Sequence, residues 1–386
     1  EKSSEGVYSM QGAATCVDNS TGNVVAIVGS RSQEDIKGYV LNRAYQSYRQ
    51  PGSCIKPLNV YTPYLQLGNT PDTKVTDSQI DGGPANADAS YAGEMTLTDA
   101  VKWSKNTVAW NIYQQITPKT GSSFLIKMGF HKIWVDKDYN AGALGGFTYG
   151  VTTEEMAGGY AALANDGVYR KATCIRLIVN ASNKTVVNET NRDSKVYDKS
   201  ASRMMTQMLR EVVLSGTGTS ANVENAVVAG KTGTTNASKD VWFCGYSKYY
   251  TTTVWAGYDY PKEMSGVNSR VNAIFKDFMT AVHTNLPVTD FSTVTQQTTQ
   301  PETTAAVQEE TESLPQETTA IVPETTGIEQ VTPQQVPSTT AQVPTTTPYQ
   351  RWTTAPAQPK TTAPMQYGDI DATTRTDPDA TARGEW

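Results

Sequence analysis

The composition of the chain changes near residue 287, and this break limits how much of the sequence can build a core. Residues 1–287 mix apolar runs, glycine turns and aromatic residues, whereas Thr, Pro, Gln and Ala dominate residues 288–386. A segment with so few large apolar side chains cannot bury enough surface to offset the entropy lost on folding. We therefore predict one globular domain over residues 1–287 and a disordered, acidic Thr/Pro/Gln-rich tail over residues 288–386.

The charge of the chain divides at nearly the same place. The whole chain carries −6 at pH 7, and residues 291–386 hold twelve acidic and four basic residues, a balance of −8 that leaves +2 for the rest. A nucleic-acid partner calls for a concentrated basic surface. A nearly neutral globular part therefore argues against nucleic acid as a partner.

Histidine and cysteine are too few and too scattered to predict a metal centre or another cofactor. A zinc site needs clustered ligands, and the sequence has no C-x-x-C or H-x-x-x-H pair. The four cysteines lie in apolar or strand-like segments, so we expect buried free thiols. The residues concerned are His131, His283, Cys16, Cys54, Cys174 and Cys244.

The sequence contains no run approaching the ~18 consecutive apolar residues of a membrane helix. Its first residues, EKSSEG, do not have the pattern of a signal peptide. If the protein works outside the cytoplasm, we expect its anchor or export segment to precede this chain.

Two distant parts of the sequence have the alternating pattern of β-strands. QGAATCVDNSTGNVVAIVGSR alternates apolar and polar residues on both sides of a turn cluster, which predicts a hairpin. Far downstream, AVVAGKTGTT, DVWFCGYS and TTTVWAGYD each predict a strand. We expect both groups to share one antiparallel sheet.

The region between these strands is typical of helices. Thr96 with Asp99, and Thr152 with Glu155, form capping boxes or similar starts before apolar residues at helical spacing. The predicted fold class is therefore α+β, with the sheet packed against a helical region.

The segment RQPGSCIKP contains the first of three short motifs, Ser53-x-x-Lys56. Ser53 opens an apolar segment that predicts the start of a helix, and Pro57 limits how far its first turns are regular. On a helix, a serine and a lysine three residues apart share a face. Lys56 can then accept the hydroxyl proton of Ser53, provided burial and a neighbouring cation such as Lys231 leave its amine neutral. A capping serine followed by a surface lysine is the structural alternative.

The segment VKWSKNTVA contains the second motif, Ser104-x-Asn106, on a predicted connection between helices. Such a connection can direct both side chains into a cleft. The hypothesis is that Ser104 relays a proton to a leaving amine and that the Asn106 amide binds the substrate backbone. Simple helix capping explains the same residues without chemistry.

The segment AGKTGTT contains the third motif, Lys231-Thr232-Gly233-Thr234, in a predicted strand. Alternation directs Lys231 and Gly233 to one face, where Gly233 is expected to leave room for a substrate lying alongside as an added strand. The hydroxyls of Thr232 and Thr234 are candidates for binding a carboxylate. The backbone N–H groups of Ser53 and Thr234 are expected to form an oxyanion hole. A plain edge strand is the alternative.

Taken in order, the three motifs resemble the signature set of penicillin-binding proteins and serine β-lactamases. Longer segments extend the resemblance to the transpeptidase domain of class A, bifunctional penicillin-binding proteins over residues 11–287, namely NRAYQSYRQPGSCIKP, GVTTEEMAGGYAALANDGVYRK, SGTGTSANVENAVVAGKTGTT and KDVWFCGYSKYYTTTVWAGYD. The resemblance implies a five-stranded antiparallel sheet packed against helices, with a helical subdomain.

The same resemblance implies an activity, partners and a location. A D,D-transpeptidase of this family cross-links peptidoglycan stem peptides through an acyl-serine intermediate, here on Ser53, with a D-Ala-D-Ala donor and an amine acceptor. β-Lactams acylate the same serine. The enzyme acts at the outer face of the bacterial membrane, where cell-wall synthesis or division proteins are further partners.

The sequence departs from the family pattern in two ways. Cys54 and Ile55 stand where the family often has a small residue and Phe, which alters packing under the nucleophile but removes no reacting group. The glycosyltransferase domain and membrane anchor of class A proteins have no counterpart here. We therefore expect a fragment that begins at the domain junction.

Two other enzymatic activities would use the same pocket, and two alternatives are not enzymatic. A class A β-lactamase deacylates through a Glu-activated water, but its E-x-x-x-N arrangement is absent from the sequence. A D,D-carboxypeptidase, with water as acceptor, and a β-lactam sensor that acylates once remain open. A structural wall-binding module would not react with penicillin at all.

Overall fold

An antiparallel sheet of five strands forms where the alternating segments predict it. The computed structural model describes residues 2, 7–31, 40–188 and 193–293. The strands are β1 (Met10–Asp18), β2 (Val24–Val28), β3 (Lys74–Asp77), β4 (Gly93–Thr96), β5 (Val168–Tyr169), β6 (Leu177–Val179), β7 (Thr185–Asn188), β8 (Ser194–Lys195), β9 (Ala229–Thr234), β10 (Asp240–Tyr246) and β11 (Tyr250–Tyr258).

The order of the large sheet is β2-β1-β11-β10-β9, and its pairs are antiparallel. The N-terminal hairpin β1–β2 joins the C-terminal strands through β1 and β11, which pair from Met10 with Tyr258 to Asp18 with Tyr250. The prediction that the two ends of the domain share one sheet is confirmed. The β9 strand lies at one edge of this sheet.

Eight α-helices surround the sheet within the described residues. They are α1 (Arg43–Gln46), α2 (Thr62–Leu65), α3 (Leu97–Lys102), α4 (Asn106–Ile116), α5 (Pro118–Lys127), α6 (Thr153–Ala164), α7 (Lys199–Ser215) and α8 (Asn268–Val282). The predicted caps are confirmed, since Thr96 accepts the N–H of Asp99 and Thr152 forms a reciprocal capping box with Glu155.

The sheet is covered on both faces. Along β10, Trp242, Cys244 and Tyr246 face the cluster that contains α6 and α7, whereas Val241 and Phe243 face the cluster that contains α8. This alternation is the period of two expected for a strand. Every residue of β10 is buried, so the strand behind the candidate site is held firmly from both sides.

The chain continues to pack on the domain past the predicted boundary at residue 287. The ring of Phe291 lies edge-on to that of Tyr246, with 5.4 Å between the ring centroids. Arg210 and Asp290 form an ion pair, with 3.1 Å between Nη1 and Oδ1. Residues 288–293 are thus part of the packed structure. The rest of the predicted tail, residues 294–386, lies outside the described residues.

Three of the four cysteines are buried. Cys16, Cys54 and Cys244 are buried free thiols, as expected, but Cys174 is exposed because it lies next to the solvent-facing β6–β7 hairpin. Within the described part of the chain, the helices are too short or too polar to cross a bilayer. The same residues include no group of three or more His, Cys, Asp or Glu side chains arranged to hold a metal.

Candidate active site

Ser53 lies in a tight turn rather than in a regular helix. A 3-10 turn spans Gly52–Ile55, a π-helical turn spans Pro57–Tyr61, and α2 follows. The helix is irregular because Pro57 has no N–H to continue an α-helical ladder. With three residues per turn, side chains three apart eclipse each other. The predicted pairing of Ser53 with Lys56 on one face therefore survives, and the Lys56 N–H donates to the Ser53 carbonyl.

Three glycines allow the turn that carries Ser53 to approach its neighbours closely. A Cβ on Gly52, whose φ is +53°, would lie 2.8 Å from the Thr234 carbonyl oxygen. A Cβ on Gly145 would lie 2.5 Å from the Gly52 oxygen, and one on Gly233 would lie 2.5 Å from the Pro51 oxygen. A Cβ on Gly233 would thus meet the turn that carries Ser53, and the expectation that a substrate lies along the strand edge at Gly233 stays a prediction.

Cys54 fastens this turn to the strand beside it. Its Sγ donates to the Lys231 carbonyl at 3.1 Å, and its own carbonyl accepts the hydroxyl of Tyr160 at 2.6 Å. Cys54 thus packs between the turn that carries Ser53 and the neighbouring β9 strand.

Lys56 is fully buried, with its amine held by the second motif. Its Nζ donates to the carbonyl oxygen of Ser104 at 2.9 Å, to Oδ1 of Asn106 at 2.8 Å and, at a longer 3.4 Å, to the carbonyl oxygen of Lys105. Burial, and then the nearby cation of Lys231, lowers the pKa of Lys56 well below its usual range. This environment favours a neutral amine.

Lys231 is also fully buried and approaches the same residue from β9. Its Nζ donates to Oγ of Ser104 at 2.8 Å and to the carbonyl of Thr232 at 3.1 Å. Burial lowers the pKa of Lys231 to about 8. The two amines are therefore joined through one serine, Lys56 at its carbonyl and Lys231 at its hydroxyl.

Ser104 adopts a left-handed backbone conformation, with φ of +58°. For a residue with a Cβ this conformation costs roughly 1–2 kcal/mol. Two backbone hydrogen bonds hold this conformation: Ser104 N donates to Val101 O at 3.1 Å, and Lys105 N donates to Ala100 O at 2.9 Å. Strain of this kind at a sequence-predicted site residue is an observation that favours a functional role.

The sequence predicts Asn106 on the connection between helices, but in the structure Asn106 is the first residue of α4. The connection is shorter than expected because Lys105 already serves as the residue before the helix. The Asn106 side chain accepts from Lys56 through Oδ1 and donates through Nδ2 to the Ala85 carbonyl at 2.9 Å. Among the described residues, Nδ2 donates this one hydrogen bond.

The two threonines of the third motif point away from Lys231. The hydroxyls of Thr232 and Thr217 are 2.7 Å apart, and the exposed Thr234 donates to Oδ1 of Asn268 at 3.3 Å. Sequence reasoning assigned no role to Thr217 or Asn268. The pair of Thr234 with Asn268 is 34 residues apart in sequence, and only the packing of α8 brings it together.

The Ser53 side chain is half-buried, and among the described residues its hydroxyl has no hydrogen-bond partner. The backbone of Gly52, which precedes Ser53, is in close contact with the backbone of Thr234 on β9. The N–H groups expected to form the oxyanion hole therefore lie on adjacent segments. The structure brings together all eight sequence-predicted site residues: Ser53, Lys56, Ser104, Asn106, Lys231, Thr232, Gly233 and Thr234.

Solved structures with this arrangement of helices and strands share the fold. Penicillin-binding protein 1A from Haemophilus influenzae gives a TM-score of 0.60 at 24% identity, over 76% of this chain and 51% of that chain. The PonA1 protein from Mycobacterium tuberculosis in complex with penicillin V gives a TM-score of 0.62 at 22% identity, over 74% of this chain and 81% of that chain.

Curated relatives are more similar in sequence but much longer. Penicillin-binding protein 4 of Bacillus subtilis (strain 168) is 34% identical over 265 residues, which are 67% of this chain and 42% of the relative. Penicillin-binding protein 1A of Clostridium perfringens (strain 13 / Type A) is 32% identical over 305 residues, 74% of this chain and 45% of the relative. The chain thus spans about two fifths of the length of the curated relatives it matches.

A family description matches most of the described domain. Residues 12–280 match the penicillin binding protein transpeptidase domain. This match covers the three motifs and all five strands of the sheet except the first two residues of β1. The chain therefore belongs to the penicillin-binding protein transpeptidase family.

Proposed function

We propose that this domain is a serine-type D,D-transpeptidase that cross-links peptidoglycan stem peptides through an acyl-Ser53 intermediate and is inhibited by β-lactams. One observation carries the proposal. Two fully buried lysine amines, Lys56 and Lys231, converge on Ser104 beside a serine whose own hydroxyl is unpaired among the described residues. Burying an amine is costly because its charged form loses its hydration. Buried groups with shifted pKa values cluster at functional sites, so the pair supports a catalytic role.

The contacts of Lys56 support its role as the base. A neutral amine has two N–H groups and one lone pair. The shorter contacts of Nζ are to Ser104 O at 2.9 Å and to Asn106 Oδ1 at 2.8 Å, with a longer one to Lys105 O at 3.4 Å. In the proposal the two shorter contacts use both N–H groups, and the lone pair accepts the proton of Ser53, which lies three residues earlier on the same face of the turn. Ser53 Oγ attacks the carbonyl carbon of the donor while its proton passes to Lys56. The developing oxyanion is bound by the N–H groups of Ser53 and Thr234.

The contacts of Ser104 support its role in releasing the leaving amine. When the C–N bond breaks, the leaving nitrogen takes the Ser104 proton, and Ser104 takes one from Lys231 through their 2.8 Å hydrogen bond. The second half reverses these steps. The acceptor amine attacks the ester carbonyl, its proton returns through Ser104 to Lys231, and Ser53 regains the proton held by Lys56.

The edge of the sheet supports a mode of substrate binding. The β9 edge is open within the described sheet, so an extended stem peptide can lie along it. Thr232 and Thr234 offer hydroxyls to its carboxylate, and Asn106 offers its remaining N–H to its backbone. We place the domain at the outer face of the bacterial membrane, where these peptides and the cell-wall synthesis or division proteins are found.

Transfer to an amine separates the transpeptidase from its alternatives. With a pentapeptide ending in D-Ala-D-Ala and glycine methyl ester as acceptor, we expect release of D-alanine and a new amide product, measured by liquid chromatography and mass spectrometry. Ser53→Ala should give neither. Hydrolysis without transfer would instead indicate a carboxypeptidase, and penicillin labelling without any turnover a sensor. No labelling at all would leave only a structural module.

Acylation should follow a bell-shaped pH profile, because one amine must be neutral and the other charged. The pKa of Lys56 is lowered by burial and then by Lys231, so its base form exists above that lowered pKa and the rate rises with pH on the acidic side. The pKa of Lys231 is lowered to about 8 by burial. Its cation is therefore lost, and the rate falls, as pH rises through about 8. The rate constant for benzylpenicillin acylation across pH tests this.

Lys231→Arg provides the control for the alkaline side. A guanidinium stays charged to a pKa above ~12, so any remaining acylation should no longer fall near pH 8. A fall at the same pH in Lys231→Arg would show that another group is responsible.

A further inference from the structure

The N-terminus of α4, which presents Asn106 to Lys56, is capped by a residue from elsewhere in the chain. Lys105 precedes the helix and offers no capping side chain. Instead, Oδ1 of Asn86, twenty residues upstream, accepts the N–H of Asn106 at 2.7 Å and that of Thr107 at 3.3 Å. The first N–H groups of a helix otherwise lack partners. Asn86 therefore fixes where the helix starts.

Asn86 is itself held by a fully buried carboxylate. Asp77 accepts from Nδ2 of Asn86 at 2.6 Å, from the Thr107 hydroxyl at 2.5 Å and from the Ala92 N–H at 2.9 Å. The Lys105 ammonium lies 3.3 Å from the same carboxylate. Every partner of Asp77 is a donor, so the carboxylate orients Asn86 with its carbonyl oxygen toward α4.

The same segment decides which way the Asn106 amide points. The Ala85 carbonyl can only accept, and it takes Nδ2 of Asn106 at 2.9 Å. The Oδ1 of Asn106 is therefore left facing the Lys56 amine at 2.8 Å. That bond occupies one N–H group of Lys56, and so it restricts the directions in which the amine's lone pair can point.

We propose that Asn86 is a positioning residue for acylation, anchored by Asp77 and acting through Asn106 on the direction of the Lys56 amine. The inference rests on the proposed function, because a positioning role for Asn86 has meaning only if Lys56 acts as the base. Asn86 touches neither Lys56 nor Ser53 and carries no chemistry of its own. Its effect should appear in the acylation step and not in the initial binding of the drug.

The test compares Asn86→Ala with Thr152→Ala, which removes the side-chain cap of α6 and is not part of the site. Stopped-flow acylation by benzylpenicillin separates the acylation rate constant from the affinity of the first complex. For Asn86→Ala we expect the acylation rate constant to fall by ~30- to 100-fold, with affinity changed by less than about threefold, because misplacing a reacting group by about 1 Å costs ~10²-fold. Thr152→Ala should lower the melting temperature similarly and leave acylation unchanged.

A second pair of variants keeps the test decisive if Asn86→Ala folds poorly. Asn86→Asp alone sets two carboxylates against each other and should slow acylation by at least ~10-fold, by the same misplacement. Adding Asp77→Asn restores one donor facing one carboxylate, with Asp at position 86 still accepting from α4, although the Ser90 carbonyl, which accepts from Asn86 Nδ2 at 2.8 Å, loses its donor. The double variant should therefore recover part of the lost rate and exceed Asn86→Asp by at least about threefold, as expected for a coupled pair.

The outcomes separate this inference from the function on which it rests. If wild-type protein is not acylated at all, the proposed function fails and the inference falls with it. If wild type is acylated and Asn86→Ala matches its acylation rate constant, or loses no more than Thr152→Ala, only the positioning role is overturned. Failure of the double variant to recover would also overturn it.

Discussion

Replacing Lys56 by Met should slow acylation of Ser53 by ~10³-fold or more while the domain stays folded. A positioned general base contributes about 10²–10⁴-fold. Lys56 is fully buried, its pKa lies well below its usual range, and it follows Ser53 by three residues in the same turn. Methionine fills a similar volume without an amine. The observable is the acylation rate constant for benzylpenicillin, followed by intact-protein mass.

The stability of the Lys56→Met protein tells loss of chemistry from loss of fold. The substitution leaves Ser104 O and Asn106 Oδ1 without their donor, at a cost of about 1–3 kcal/mol for each if no water replaces it. It also removes an amine that burial destabilises, which offsets part of that cost. We therefore expect cooperative unfolding with a modestly lowered melting temperature. A folded variant acylated within tenfold of wild type would show that Lys56 is not the base.

Gly52→Ala should damage both stability and activity. A residue with a Cβ is strained by roughly 1–2 kcal/mol at a φ of +53°, and the new methyl would lie 2.8 Å from the Thr234 oxygen. Overpacking of this kind costs a further ~1–3 kcal/mol. Because the clash pushes the Ser53 turn away from β9, it also moves Ser53 relative to the Thr234 N–H. We expect acylation to fall by ~10²-fold or more.

Gly68→Ala is the matched control for Gly52→Ala. Gly68 also has a positive φ, +91°, but a Cβ there would meet nothing within 4 Å. It should show the strain without the clash, so its melting temperature should fall by less and its acylation should be unchanged. Equal losses of stability in the two variants, measured by thermal unfolding, would show that close packing against β9 has no role.

The strands and the three motifs could be predicted because their signals are local. Alternating apolar residues predict β1, β9, β10 and β11 from each segment alone, without knowledge of which strands pair. Lys231 and Gly233 share a face simply because they are two residues apart in a strand. For the same reason, the spacing of Ser53 and Lys56 survives the change from an α-helix to a 3-10 turn.

The supporting geometry could not be predicted because it has no local signal. In a sequence, glycine is the usual indication of a left-handed backbone conformation. Ser104 adopts this conformation although it has a Cβ, and backbone hydrogen bonds of Ser104 and Lys105 hold it there. Asn86 caps a helix twenty residues away, a relationship that no spacing rule describes. The sequence likewise does not reveal that the turn carrying Ser53 packs against Gly233 of β9.

The residue acylated by benzylpenicillin is the most direct test of this site. After brief exposure to the drug, proteolysis and tandem mass spectrometry should locate one added drug mass on the peptide containing Ser53, within SCIKP, and Ser53→Ala should gain none while unfolding like the wild type. An adduct on any other residue, or an adduct retained by Ser53→Ala, would contradict the assignment of the nucleophile and with it the roles given to both buried lysines.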